Sequence, residues 1–209
     1  MRSLHGGSKA ARHALHEKLG FPPDALPNLG SWKADAGFLS LLAEYILKSR
    51  PGCIVELGMG ASTLVAARAQ QMTGGGRLVS YDQHEEYVEA VRQWLDEHGL
   101  EGELHHAPLT RRSHDWPGRW YACAEVPDEI DLLVIDGPPW AVHPFGRGAA
   151  DALFSRVAPG GVVMMDDGAR PGERAIARRW KKRWPDFEFD LVHAGSKGTL
   201  IGRRKQEAD

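Results

Sequence analysis

The sequence predicts an α/β domain: a doubly wound, mostly parallel seven-stranded sheet with helices on both faces and a C-terminal antiparallel hairpin. Three observations carry this. Short apolar runs alternate with amphipathic helical stretches, as successive β-α units do. The run "CIVEL" passes through a glycine pair straight into a helical pattern. The closing stretch "FEFDLVHAGSKGTLIGRR" has two strand-like runs joined by a Gly-rich turn, the mark of a hairpin.

In order along the chain, residues 1–33 are rich in His, Gly and Pro ("GFPPDALPNLGSW"), which predicts a loosely packed N-terminal arm or cap over a pocket. Residues 34–209 form the domain proper. From Ala34 to Lys48, Phe38, Leu42, Tyr45 and Ile46 share one helical face. The first strand is "CIVEL", and Ser62 to Gln71 follows the glycine turn as a helix. "GGGRLVSYD" reads as a turn and a second strand ending at Asp82. The next helix, Glu85 to His98, spaces Val88, Val91, Trp94 and Leu95 for burial. "GELHHA" gives a third strand. "IDLLVID", Ile130 to Asp136, is a continuous apolar run of the kind covered on both faces. Ala150, Leu153, Phe154 and Val157 mark a helix, "PGG" a turn and "VVMMDD" a fifth strand. Between Arg174 and Trp184, Ile176, Trp180 and Trp184 line one side of a helix, leaving Arg178, Arg179, Lys181, Lys182 and Arg183 as a solvated face.

Composition narrows the function classes. With 209 residues and a formal net charge of −2, the chain lacks the basic footprint of a nucleic-acid binder. No run is long and apolar enough for a bilayer, and the polar start "MRSLHGGSKAARH" lacks a signal peptide's core, so a cytoplasmic location is expected. A homo-oligomer is compatible with all of this. Cys53 and Cys123 sit in no CxxC pattern and read as buried thiols of a reducing compartment.

In doubly wound sheets ligands bind at the carboxyl ends of the strands. That singles out Glu56, Gly58, Gly60, Asp82, His106, Asp136, Asp166 and Asp167. A dinucleotide fingerprint wants a third glycine, but Thr63 stands there, and a phosphate-gripping loop wants a lysine that the turn lacks. What remains is a turn that lets a ligand approach the backbone, with Ser62 at a helix start that favours a carboxylate. Glu56 suits a cationic amine, and Asp82 stands where a carboxylate grips a ribose diol. An amine, a carboxylate and a ribose in one ligand describe S-adenosylmethionine.

"VELGMGAST", "LVSYD", "DLLVIDGPP" and "PGGVVMMDD" resemble the successive motifs of class I S-adenosylmethionine-dependent methyltransferases, a Rossmann-like fold. They are especially similar to small bacterial members whose fourth strand ends in Asp-Gly. The resemblance runs from about Ala34 to Arg204. It implies that Gly58, Gly60 and Ser62 line the methionine end of the donor, Asp82 holds the ribose, and His106 and Ala107 lie near the adenine. Asp136, Asp166 and Asp167 end on strands expected to be neighbours, roughly 5 Å apart. Such crowded carboxylates repel unless a cation intervenes, and a hard ion such as Mg²⁺ suits them. Their pattern is similar to the metal set of catechol-type O-methyltransferases. In that family the ion holds the acceptor oxygens and a lysine follows the first aspartate. "DGPPWAVHPF" supplies no such lysine, which makes His143 the candidate base beside Asp136. Trp140 is the expected substrate contact among the loop tryptophans Trp32, Trp116, Trp120 and Trp140, and Arg170 could meet an anionic substrate group.

The expected activity is therefore methyl transfer to an oxygen of a small or sugar-containing acceptor. The alternatives are an NAD(P)-linked oxidoreductase on the same scaffold and a catalytically inactive, cofactor-binding partner subunit.

Overall fold

The computed structural model describes residues 7–22, 25–26, 34–111, 115–195 and 197–206. Its strands are β1 (Cys53–Leu57), β2 (Arg77–Asp82), β3 (Glu103–His106), the two-residue β4 (Leu109–Thr110) and β5 (Trp120–Tyr121), β6 (Ile130–Ile135), β7 (Val157–Met165), β8 (Phe187–Val192) and β9 (Thr199–Arg204). Seven of them form one sheet in the order β3-β2-β1-β6-β7-β9-β8. The first five in that order are parallel, and β9 is antiparallel to both β7 and β8. The expected doubly wound sheet and its terminal hairpin are both present. β4 and β5 make a separate antiparallel ribbon that the sequence pattern does not announce.

Side chains alternate across the sheet because the strand period is two. Ile54, Leu78, Leu132 and Val134 face one core, shared with helices α1 (Lys9–Leu19), α2 (Ala36–Ser49), α3 (Ala61–Met72) and α4 (Glu85–Glu97). Val55, Val79, Leu133 and Ile135 face the other, where Phe154, Ile176 and Trp180 pack from the 3-10 segment Gly146–Arg156 and from α5 (Pro171–Arg183). On α2, Phe38, Leu39, Leu42, Ala43 and Ile46 are wholly buried, and each large apolar one contributes about 1.5–3 kcal/mol.

Two elements differ from expectation. Residues 9–19 are not a loose arm: Ser8 caps α1 through Ala11 N–H, Gly20 ends it at φ 61°, and Leu15 and Leu19 are buried against the first core. The expected helix at Ala150 to Val157 is a run of tighter 3-10 turns, and Val157 already belongs to β7. There β7 opens a bulge, since Ile130 pairs with Val157 but Leu132 pairs with Val162. The predicted "PGG" turn sits inside that bulge.

Trp116 and Trp120 are buried in the second core, so they serve packing and not a ligand edge, and Trp32 lies outside the described residues. The α5 basic residues are exposed, as its periodicity predicts. Both cysteines are thiols and only half-buried. Among the described residues no helix is long and apolar enough to cross a membrane.

Candidate functional site

The glycine turn is built on a close approach of two strand ends. Gly58 follows β1 at φ 92°, and a Cβ there would lie 2.5 Å from Gly137 N, so both conformation and space demand glycine. Gly60 opens α3, and its N–H donates to Thr63 Oγ1 at 2.9 Å. The Thr63 hydroxyl in turn donates to Glu56 Oε2 at 2.6 Å, and Ser80 Oγ donates to the same oxygen at 2.7 Å. The pairing register places Glu56 beside Ser80, on the face turned toward α3. Threonine, standing where a dinucleotide motif has its third glycine, thus caps the helix and ties it to the strand.

Above this turn lies a cleft of about 280 Å³. Gly58, Gly60, Asp82, Tyr87, Tyr121 and Asp136 are among its walls. Asp82 Oδ2 accepts Met59 N–H at 3.2 Å and Oδ1 accepts His84 N–H at 2.9 Å, so this carboxylate joins the glycine turn to the start of α4. Asp82 thus braces the start of α4 and also stands on the cleft wall. The Tyr121 hydroxyl is wholly buried, borders the cleft, and has no hydrogen-bond partner among the described residues. A buried polar group of this kind calls for a hydrogen-bond partner.

Glu56 and Ser62 lie behind the turn instead of on the cleft wall, each 1% exposed. Burial pushes the Glu56 carboxyl up to about 7, against the downward pull of neighbouring hydroxyls. His106 pairs with Asp82 across the sheet and its Nε2 lies 3.2 Å from Gln83 O, while Ala107 N–H donates to Asp82 O at 2.8 Å. Both stand beside the cleft without lining it. Tyr87, Tyr121 and Gly137 line it and were not singled out from the sequence.

Asp136, Asp166 and Asp167 do converge, with carboxylate oxygens within 4.8 Å of one another, one residue or two beyond the paired ends Ile135 and Met165. The repulsion expected among them is relieved from within. Arg147, 5% exposed, reaches between them from the 3-10 segment, 3.3 Å from Asp136 Oδ1 and 3.3 Å from Asp167 Oδ2. Asp167 also meets Arg170 at 2.7 Å and Lys197 at 3.2 Å. A divalent ion would have to enter among three cationic groups and displace a buried guanidinium, so the residues as folded do not fit the metal expected from their spacing. Burial raises the Asp136 pKa to about 6, with Asp167 adding to the rise and Arg147 opposing it. Burial and then the two neighbouring carboxylates push Asp166 well above the usual range.

The remaining candidates sit on the rim. His143 spends Nδ1 accepting Phe145 N–H at 3.1 Å, and its ring is outside the cleft lining. Trp140 is 54% exposed in the loop beyond Asp136, with Val142 and Phe145 also exposed. Arg170 is engaged by Asp167.

A family model described as a methyltransferase domain matches residues 55–168, from β1 through Asp166-Asp167. None of the curated proteins matches the chain. Among solved structures, the fold resembles an SAH-bound methyltransferase from Podospora anserina (16% identity, 96% of this chain and 90% of that one, TM-score 0.63). It also resembles an O-methyltransferase from Bacillus cereus in complex with SAH (16%, 95% and 92%, 0.63). A third is the O-methyltransferase TomG from Streptomyces achromogenes, involved in tomaymycin synthesis and bound to SAM (18%, 95% and 91%, 0.60). The sheet order, the glycine turn under the cleft and the matched span from β1 to the aspartate pair agree, and the chain belongs to the methyltransferase-domain family.

Proposed function

We propose that this chain is an S-adenosylmethionine-dependent methyltransferase acting on a hydroxyl oxygen of a small acceptor. The observation that carries the reading is the cleft itself. Gly58 and Gly60 bring bare backbone to its floor, the Asp82 carboxylate stands on one wall and Asp136 on another, and the Tyr121 hydroxyl beside it lacks a partner among the described residues. S-adenosylmethionine supplies, when bound, an electrophilic methyl group on a sulfonium.

What the protein contributes follows from its own groups. Asp82 binds the ribose diol with lone pairs left over from its two backbone contacts. The Tyr121 hydroxyl donates to a polar ligand atom. Burial raises its pKa well above its ordinary value, with Asp82 and Asp136 adding to the rise, so it stays protonated. Asp136, with a pKa near 6, is ionised at neutral pH yet basic enough to take the acceptor hydroxyl's proton. His143 anchors the rim loop through Phe145 N–H, and Trp140, Val142 and Phe145 give an apolar surface for the acceptor. Alignment of acceptor and donor in a shielded cleft provides the main acceleration in such displacements.

Isothermal titration with SAH and with NADH tests the donor reading directly. SAH binding that weakens in Asp82→Ala supports it; NADH binding with SAH ignored would overturn it.

A further inference from the structure

The guanidinium of Arg147 makes four hydrogen bonds and one further ion-pair contact. Nε is 3.3 Å from Pro138 O, Nη1 is 3.0 Å from Asp166 O and 3.3 Å from Asp167 Oδ2, and Nη2 is 2.6 Å from Asp136 O and 3.3 Å from Asp136 Oδ1. These contacts tie the arginine to the ends of two adjacent strands and to the turn that follows the first of them. The side chain is held there by its surroundings. A Cβ on the next residue, Gly148, would lie 2.3 Å from the Trp116 ring, and Trp180 Nε1 donates to Gly148 O at 3.0 Å. The 3-10 turns carrying Arg147 are therefore clamped between two tryptophans.

We infer that Arg147 takes the part a divalent cation would play among Asp136, Asp166 and Asp167, holding Asp136 at the cleft and making the chain's methyl transfer independent of metal. The metal independence of the reaction rests on the methyltransferase reading; the charge arrangement does not. A magnesium-type ion needs two or three carboxylate oxygens at close range plus waters. Here Asp136 Oδ1 and Asp167 Oδ2 already face Arg147, Asp167 Oδ2 also faces Arg170, and Asp167 Oδ1 faces Lys197. Moving the guanidinium aside would strand a buried charge, and breaking such a pairing is far costlier than keeping it. Arg147 is on this account a positioning residue, since it acts through Asp136.

The experiment is a Mn²⁺ titration followed by electron paramagnetic resonance on the full chain and on two variants. Wild type is expected to show no stoichiometric site at millimolar metal. Arg147→Gln, which keeps a polar side chain but removes the charge, is expected to gain Mn²⁺ affinity by about tenfold or more, and Arg147→Lys to stay like wild type. A stoichiometric wild-type site that disappears in Asp166→Asn/Asp167→Asn would overturn the inference. So would an Arg147→Gln variant that folds, by near-ultraviolet circular dichroism, and binds no more Mn²⁺ than wild type. If that variant does not fold, the wild-type titration decides alone. SAH calorimetry on the same wild-type sample separates the two ideas: absent SAH binding counts against the methyltransferase reading, while the manganese result still judges Arg147.

Discussion

Thr63 Oγ1 stands 2.6 Å from Glu56 Oε2 and 2.9 Å from Gly60 N, so one hydroxyl links the buried carboxyl of β1 to the first turn of α3. Both partners of that hydroxyl are shut away from water, and Ser80 alone would still reach Glu56 Oε2 without it. Thr63→Val, nearly isosteric, therefore leaves the buried Gly60 N–H wanting and the carboxyl with one contact fewer, at about 1–3 kcal/mol for a stranded buried group. The melting temperature should fall and SAH affinity with it, whereas Thr63→Ser should restore most of both. Unchanged melting in the valine variant would show that the link has no energetic weight.

Glu56 makes stability depend on pH with a definite sign. Its carboxyl ionises near the ordinary 4.5 in the unfolded chain and near 7 in the fold, so the folded state binds more protons between those values. The contribution of Glu56 to stability is consequently fully present below the unfolded pKa, falls as pH rises from 4.5 to 7, and levels off above, with a loss on the order of 3 kcal/mol. Urea denaturation of wild type and Glu56→Gln between about pH 4 and pH 8 reads this out. The glutamine variant should lack that part of the decline; parallel curves would sink the assignment.

If the proposed reaction holds, Asp136 should give the rate its acid limb. Methyl transfer should drop as pH falls through about 6, where this carboxyl takes up a proton. Asp136→Asn should remove most turnover, by about 10²-fold or more, while SAH still binds. A pH-rate profile that stays flat from about pH 5 to pH 8, or an active asparagine variant, would take Asp136 out of the reaction.

Gly137 and Tyr121 are coupled by space. A Cβ at Gly137 would lie 2.0 Å from Tyr121 Oη and 2.9 Å from Gly58 Cα. Gly137→Ala should cost about 1–3 kcal/mol through overpacking, and Tyr121→Phe should recover part of that loss in the double variant. A thermal double-mutant cycle with no interaction energy would contradict the packing described.

Trp140 offers a contrast, being exposed on the loop beyond Asp136. Trp140→Ala should leave the melting temperature within about 1 °C of wild type and raise the acceptor KM several-fold with the donor's affinity unchanged. An unaltered KM would place the acceptor elsewhere on the rim.

Much of the site was legible because strand-end positions are fixed by local pattern. Gly58, Gly60, Asp82 and Asp136 each follow an apolar run by a residue or so, and the sheet brings such positions together whatever the loops do. Tyr87 could have been found on the α4 wheel, where it lies four residues before Val91 on the flank of the buried stripe. Tyr121 could not, because β5 is a two-residue strand in a stretch without periodicity. Arg147 was hidden for another reason. The segment "GRGAADALF" shows an ordinary basic residue between glycines, and only the folded neighbours Asp136 and Asp167 reveal what it answers. The crowding of three aspartates did announce that a cation was needed; it could not say that the chain carried its own. The helix α1 was missed because its apolar positions are few, and its burial comes from α2 and α3.

The hairpin β8–β9 also governs when the site can exist. β9 covers the outer edge of β7, and the turn beside it sets Lys197 against Asp167, Gly198 O against Gly168 N, and Gly195 against Asp35 at the entry to α2. A chain emerging from the ribosome therefore has every wall of the donor cleft in hand well before it has the strap that braces them. On the proposed reading, a chain stopped before Thr199 should bind SAH more weakly than one that reaches Arg204, because the strap that braces the walls is missing from it.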